Sequence, residues 1–158
     1  MKISIRSILI AIVGVALIGI LIQWIPYGHD HSNLPVIREP NWNSPQTRAI
    51  TKRACFDCHS NETVWPWYSN VAPVSWLINN DVTRGREHLN FSEWDVHPFL
   101  PQGQGEGIEH QHGSEIIQEV LESGDMPPAT YLLLHPEARL TDEELRILIE
   151  GLPKSTRE

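Results

Sequence analysis

The pair of cysteines in Cys55-Phe56-Asp57-Cys58-His59 constrains this chain more than any other feature, because the 158 residues contain no further cysteine. Two thiols alone complete neither a four-cysteine zinc site nor a disulfide framework, so their neighbours decide their use. Residues three apart share a helix face. Both thiols of such a turn can reach the two vinyl groups along one edge of a haem and form thioethers, and the histidine that follows meets the iron as neutral imidazole. The competing readings are a plain thiol pair or disulfide beside a histidine, and a thioredoxin-like redox motif. A redox C-x-x-C belongs in a strand-helix unit, whereas the sequence before Cys55 is patterned as helix. The expectation is therefore one covalently attached haem c, held by Cys55 and Cys58, with His59 on its iron.

A second iron ligand has to come from elsewhere. Met126, in Gly124-Asp125-Met126-Pro127-Pro128, lies between a helix end and two prolines, a stiff setting that suits a thioether aimed at iron. Met1 is the only other methionine. A buried methionine is otherwise a gap-filler in a core. His88, His97, His110, His112 and His135 are the alternatives, with His110-Gln111-His112 beside a glycine-rich loop as the main rival. Arg84 and Arg86 are candidates to pair with haem propionates through two parallel hydrogen bonds, against the plainer reading of a solvated helix face. Trp65, Trp67, Tyr68, Trp76 and Trp94 suit either ordinary packing or the flat surface of a haem.

The N-terminus sets the compartment. Lys2 and Arg6 precede an apolar run from Ile8 to Ile25 broken only by Gln23, close to the ~20 residues that cross a bilayer, with Trp24 and Tyr27 where an aromatic belt belongs. A cleaved signal peptide is the rival reading. The run is longer than the usual signal-peptide core, and no small-x-small site follows it. The positive flank keeps the N-terminus in the cytoplasm and puts the rest on the periplasmic or extracytoplasmic side. The net charge is -8, and -10 once Lys2 and Arg6 are set aside. An acidic domain repels phosphate backbones, which argues against nucleic acid as a partner and favours basic docking surfaces or, as the plainer reading, simple solubility.

Helical signals organise the remainder. Ser44-Pro45 opens a helix that carries Ala49, Ile50, Ala54 and Cys55. Pro73 opens another, with Val74, Leu77, Ile78 and Val82 on one face. Asn90-Phe91-Ser92-Glu93 has capping-box spacing for a short helical turn. Ser114 to Ser123 is periodic and ends at Gly124. Thr141 and Glu144 form a capping box flanked by a Leu140/Leu145 staple, for a last helix reaching Gly151. With no alternating strand pattern, the expected fold is mainly α: a cytochrome c-like helical domain with long loops around a covalent haem, preceded by one transmembrane helix. The expected boundaries are a signal anchor over 1–27, a polar linker over 28–43, the haem domain over 44–153 and a tail over 154–158.

At these residues the chain resembles the haem-binding domain family of bacterial c-type cytochromes. The resemblance rests on Cys55 to Thr63, Trp65-Pro66-Trp67-Tyr68, Ala72 to Trp76, Gly85-Arg86-Glu87, Leu89 to Trp94, Met126-Pro127 and Leu134 to Ala138, covering roughly 45–152. It implies covalent haem c, His59 and Met126 as axial ligands, and electron transfer. His97 to Gly113, rich in glycine and glutamine with three histidines, departs from the family pattern. The expected role is that of a non-enzymatic carrier meeting redox complexes at the membrane. A haem-based redox or small-ligand sensor with an open or labile sixth position is the alternative.

Overall fold

The computed structural model describes residues 4–94 and 109–155, with side chains for 4–94 and 116–155. Helices make up most of it, and among the described residues the extended pairing is an isolated parallel bridge between Arg38 and Glu93. The chain divides into two compact units, Met1–Ser32 with Trp65–Asp81, and Asn33–Val64 with Val82–Glu158.

In the first unit, α1 runs over Ile5–Leu21 and a 3₁₀ turn extends it through Ile22–Trp24. Those 20 residues are long and apolar enough to cross a membrane, and none is buried by the protein itself. A helix of this length spans about 30 Å, the thickness of a hydrocarbon core. The Trp65-Pro66-Trp67-Tyr68 stretch turns through a 3₁₀ segment over Trp67–Asn70, and helix α4, Val74–His88, begins soon after.

The second unit holds the core. Helix α2, Pro45–Ala54, starts where expected, with the Ser44 hydroxyl accepting the Thr47 N–H at 3.0 Å and Pro45 in the first turn. A single turn, α3, follows over Phe56–His59. Helix α5 covers Glu109–Glu122, beginning five residues before the expected Ser114, and Gly124 ends it at φ +75°, where glycine alone escapes strain. A short α6, Ala129–Leu132, precedes α7, Asp142–Gly151. The α7 capping box is complete, with Thr141 Oγ1 accepting from the Glu144 N–H and the Glu144 carboxylate accepting from the Thr141 N–H. Ile50, Phe56, Phe91, Ile117, Leu121, Leu148 and Leu152 form the buried cluster, with Trp42, Leu89 and Trp94 packed against it. Arg53 ties α2 to the C-terminal segment by donating to the Glu137 carbonyl and the Glu144 carboxylate.

Two local expectations are corrected, and the structure adds contacts to a third. Asn90 to Glu93 forms no helical turn: the Asn90 side chain accepts from the Ser92 N–H and donates to Asn61, so the local side-chain bond competes successfully with helix. The second half of the stretch expected as linker, 28–43, is joined to the domain. Ile37 and Arg38 donate to the Ser92 carbonyl at 2.9 and 3.0 Å, and Trp42 packs 5.6 Å from Phe91. On α4, Val82 is buried as its periodicity requires, but Leu77 and Val74 face outward while Ser75 is buried.

Because Leu148 is fully buried at the centre of the α7 face, Leu148→Ala is expected to cost about 2–5 kcal/mol through lost burial and a residual cavity. The denaturant midpoint of the full chain measures this, and a change within error would mean that α7 does not carry the core.

Candidate functional site

The C-x-x-C-H motif sits on a break between two helices. Cys55 terminates α2, with its N–H bonded to the Thr51 carbonyl at 2.8 Å, and opens α3 from a non-helical backbone at φ -127° and ψ -30°. The Cys55 carbonyl then accepts from Cys58 and His59, at 3.2 and 2.9 Å, closing the turn. Phe56 enters the core, stacked 5.7 Å from Phe91, while Cys58 and His59 are half-buried and Cys55, also half-buried, packs against the same core. The phenylalanine thus anchors in the core the turn that carries the thiols and the imidazole.

Among the described residues, His59 is oriented by main-chain carbonyls. Its Nδ1 lies 2.9 Å from the Gly85 carbonyl and 3.1 Å from the Leu89 carbonyl. Carbonyls only accept, so Nδ1 carries the proton and Nε2 keeps its lone pair. Burial lowers the imidazole's pKa, which further favours the neutral, ligating form. Such a hydrogen bond to the non-ligating nitrogen is the usual means of fixing a metal-binding imidazole. The Gly85 carbonyl lies in the last turn of α4, where it also accepts the Leu89 N–H at 2.9 Å, and Leu89 directly follows the helix.

Gly85 makes this approach possible. A Cβ there would lie 2.4 Å from the Cys58 carbonyl oxygen and 3.1 Å from the Cys58 Cβ. Next to it, Arg86 donates to the Ser60 carbonyl at 2.8 Å, Thr63 Oγ1 at 2.9 Å and Asn33 Oδ1 at 2.8 Å. Arg86 therefore braces the chain that leaves the motif, while Arg84 is exposed, as a solvated helix face requires. The Phe91 N–H donates to the His59 carbonyl at 2.8 Å, and Asn61, Asn90 and Ser92 bond one another in a buried cluster beneath it.

Met126 follows the end of α5 and is 38% exposed, with its N–H and that of Asp125 both donating to the Val120 carbonyl. The segment after it returns to the motif. The Tyr131 hydroxyl donates to Asp57 Oδ2 at 2.7 Å, and Asp57 Oδ1 accepts the Val64 N–H at 3.0 Å. Burial, followed by the Asp57 bond, raises the Tyr131 pKa, so the phenol stays protonated as a donor. His135 joins this neighbourhood, its ring stacked 4.3 Å from Tyr131 and its Nδ1 on Glu137. His88 is exposed. His97 lies outside the described residues, as do the side chains of His110 and His112. Gly85, Asp57 and Tyr131 are the site residues that sequence reasoning missed as such. The signal for Asp57 was its place between the cysteines, whereas nothing local marks Tyr131.

Neither cysteine is in a disulfide. Burial pushes the Cys55 thiol up to about 12. A thiol-disulfide exchange site needs the opposite shift, toward a reactive thiolate, so the thioredoxin-like reading fits poorly. A neutral, oriented imidazole beside two reduced thiols on one turn does fit haem. The model of the haem-binding domain family matches residues 17–154 of the chain. The chain belongs to the haem-binding domain family. Comparisons with curated proteins and with solved structures gave no match. The matched span reaches from within α1 to the turn after α7, and so includes the motif, α4 and Met126.

Gly85→Ala is expected to separate α4 from the Cys58 turn, lowering stability by roughly 1–3 kcal/mol and reducing haem content. Denaturant titration and haem absorbance per protein would test it. An unaltered midpoint with full haem content would show that the close approach is dispensable.

Proposed function

We propose that this haem-binding domain protein is a membrane-anchored, single-haem c-type cytochrome that carries electrons outside the cytoplasmic membrane. The observation that carries the reading is the His59 ring, whose Nδ1 is held by Gly85 and Leu89 beside the half-buried Cys55 and Cys58. When bound, haem supplies a one-electron iron couple. Cys55 and Cys58 would hold the haem as thioethers, and His59, through Nε2, and Met126 would ligate its iron. The Gly85 and Leu89 carbonyls keep the imidazole in one tautomer. Asp57 and Tyr131 position the segment that follows Met126 against the motif.

The anchor reading gains support from Gln23, whose side chain exchanges hydrogen bonds in both directions with the backbone of Ala72. Cleavage just after the apolar run would remove one half of that pair. Lys2 and Arg6 favour a cytoplasmic N-terminus, which leaves the haem domain on the outer side. An anchor raises the effective concentration of the domain toward membrane redox complexes, and the acidic surface favours basic docking faces. Electron transfer, rather than catalysis, is the role.

Met126→Ala is expected to leave the haem attached, since attachment uses Cys55 and Cys58. Loss of a thioether, which favours ferrous iron over a harder nitrogen ligand, lowers the reduction potential and opens the iron to carbon monoxide. A pyridine haemochrome assay checks attachment, and spectra with a redox titration check ligation. If the spectrum and potential stay at wild type while His135→Ala, His110→Ala or His112→Ala changes both, Met126 is not the ligand. A low-spin wild-type spectrum unaffected by carbon monoxide is expected, whereas ready carbon monoxide binding points to the sensor.

The acidic domain also leads to an expected ionic-strength dependence, because charge steers encounter at low salt and is screened at high salt. Reduction rates with a basic redox partner should fall as salt rises. Rates that stay flat would remove electrostatics from docking.

A further inference from the structure

The first unit is built on the end of the apolar helix. Gln23 Nε2 donates to the Ala72 carbonyl at 3.0 Å and to the Gly19 carbonyl at 2.8 Å, while Gln23 Oε1 accepts the Ala72 N–H at 2.9 Å. This two-way pairing fixes Ala72 beside the last turn of the span. More contacts follow as the chain emerges. Gly28, at φ +79°, passes so close to Ser75 that a Cβ would lie 2.9 Å from its carbonyl. The His31 ring stacks 4.5 Å from Trp65, and its Nε2 lies 3.1 Å from the Ser69 carbonyl.

The segment pinned in this way turns apolar side chains outward. Trp67 is 79% exposed and Leu77 65%, with Val71 and Val74 also exposed. From Trp65 to Asn80 the sequence has no Asp, Glu, Lys, Arg or His, in a chain that is 20% charged. Trp24 and Tyr27, at the same end of the helix, are exposed as well. Large apolar side chains on an uncharged segment cost free energy in water, whereas tryptophan is favoured at the boundary between headgroups and acyl chains.

We propose that Trp67, Val71, Val74 and Leu77 form a second membrane contact, seated in the interfacial layer of the bilayer that α1 crosses. Continuity decides the occupant. The surface is hydrogen-bonded to the final turn of the span, so phospholipid is what adjoins it, and the absence of charge offers no complementarity to a basic protein partner. The inference rests on the proposed retention of α1 as an anchor. It makes the segment an interfacial shelf rather than part of a free tether.

The test uses the full haem-loaded chain in vesicles of phosphatidylethanolamine and phosphatidylglycerol, with and without acyl chains brominated near the headgroup. Trp67→Phe is conservative at an exposed site, and retained haem absorbance reports its folding. The difference in emission between wild type and Trp67→Phe isolates Trp67. Brominated lipid is expected to remove most of that difference emission, and aqueous acrylamide is expected to leave it nearly unquenched. Vesicle flotation separates the two readings. A chain that floats while acrylamide quenches Trp67 fully and brominated lipid does not overturns the interfacial contact but keeps the anchor. A chain that fails to float overturns both. Trp67 open to acrylamide in pure lipid yet protected in native membranes would assign the surface to a protein partner and overturn the lipid contact.

Discussion

The hydrogen bonds from His59 Nδ1 to the Gly85 and Leu89 carbonyls are the constraint on which the candidate site depends. They require the C-terminal end of α4 to lie against the Cys55 to His59 turn, and that approach requires a residue without a Cβ at position 85. They also decide the tautomer, because two acceptors on one nitrogen leave the lone pair on the other. Charge placement agrees with this arrangement. The C-terminal end of a helix carries partial negative charge, and the last turn of α4 presents its Gly85 carbonyl to the imidazole.

The turn around His59 is held from both sides by different physics. On one side Phe56 stacks on Phe91, which stacks in turn on Trp94 at 5.7 Å, so the aromatic core fixes the rotation of α3. On the other side, the chain leaving His59 is fastened by buried polar groups. Asn61, Asn90 and Ser92 satisfy one another, and Asn61 also donates to the Pro35 carbonyl and the Glu93 carboxylate. A satisfied polar cluster of this kind specifies one arrangement, since any slip strands a buried donor. This explains how a domain with short helices and long connections holds His59 in place.

The first unit shows a different economy of contacts. Its ordered segment has little apolar burial and relies on an amide, a glycine and a stacked histidine to fold against the chain that leaves α1. The side chains that helical periodicity would send inward, Val74 and Leu77, are the exposed ones. In a chain with an apolar span, outward-facing hydrophobic residues have a second solvent available, and periodicity alone does not separate the two.

Features that depend on neighbouring residues were legible in the sequence. The apolar length of α1, the Ser44-Pro45 start of α2, the Gly124 end of α5 and the Thr141/Glu144 box of α7 are local effects of composition, capping and glycine, and the structure keeps them. The C-x-x-C-H turn was legible for the same reason, and it pointed to haem before any fold was known. Tertiary structure alone decided the rest. Which nitrogen of His59 carries the proton depends on carbonyls 26 and 30 residues away, and the Tyr131 bond to Asp57 spans 74 residues. Arg86 looked like a propionate partner by its charge, yet backbone and side-chain acceptors brought close by folding engage its guanidinium. Sequence spacing encodes contacts within a helical turn, but contacts between distant segments exist only once the core has placed those segments together.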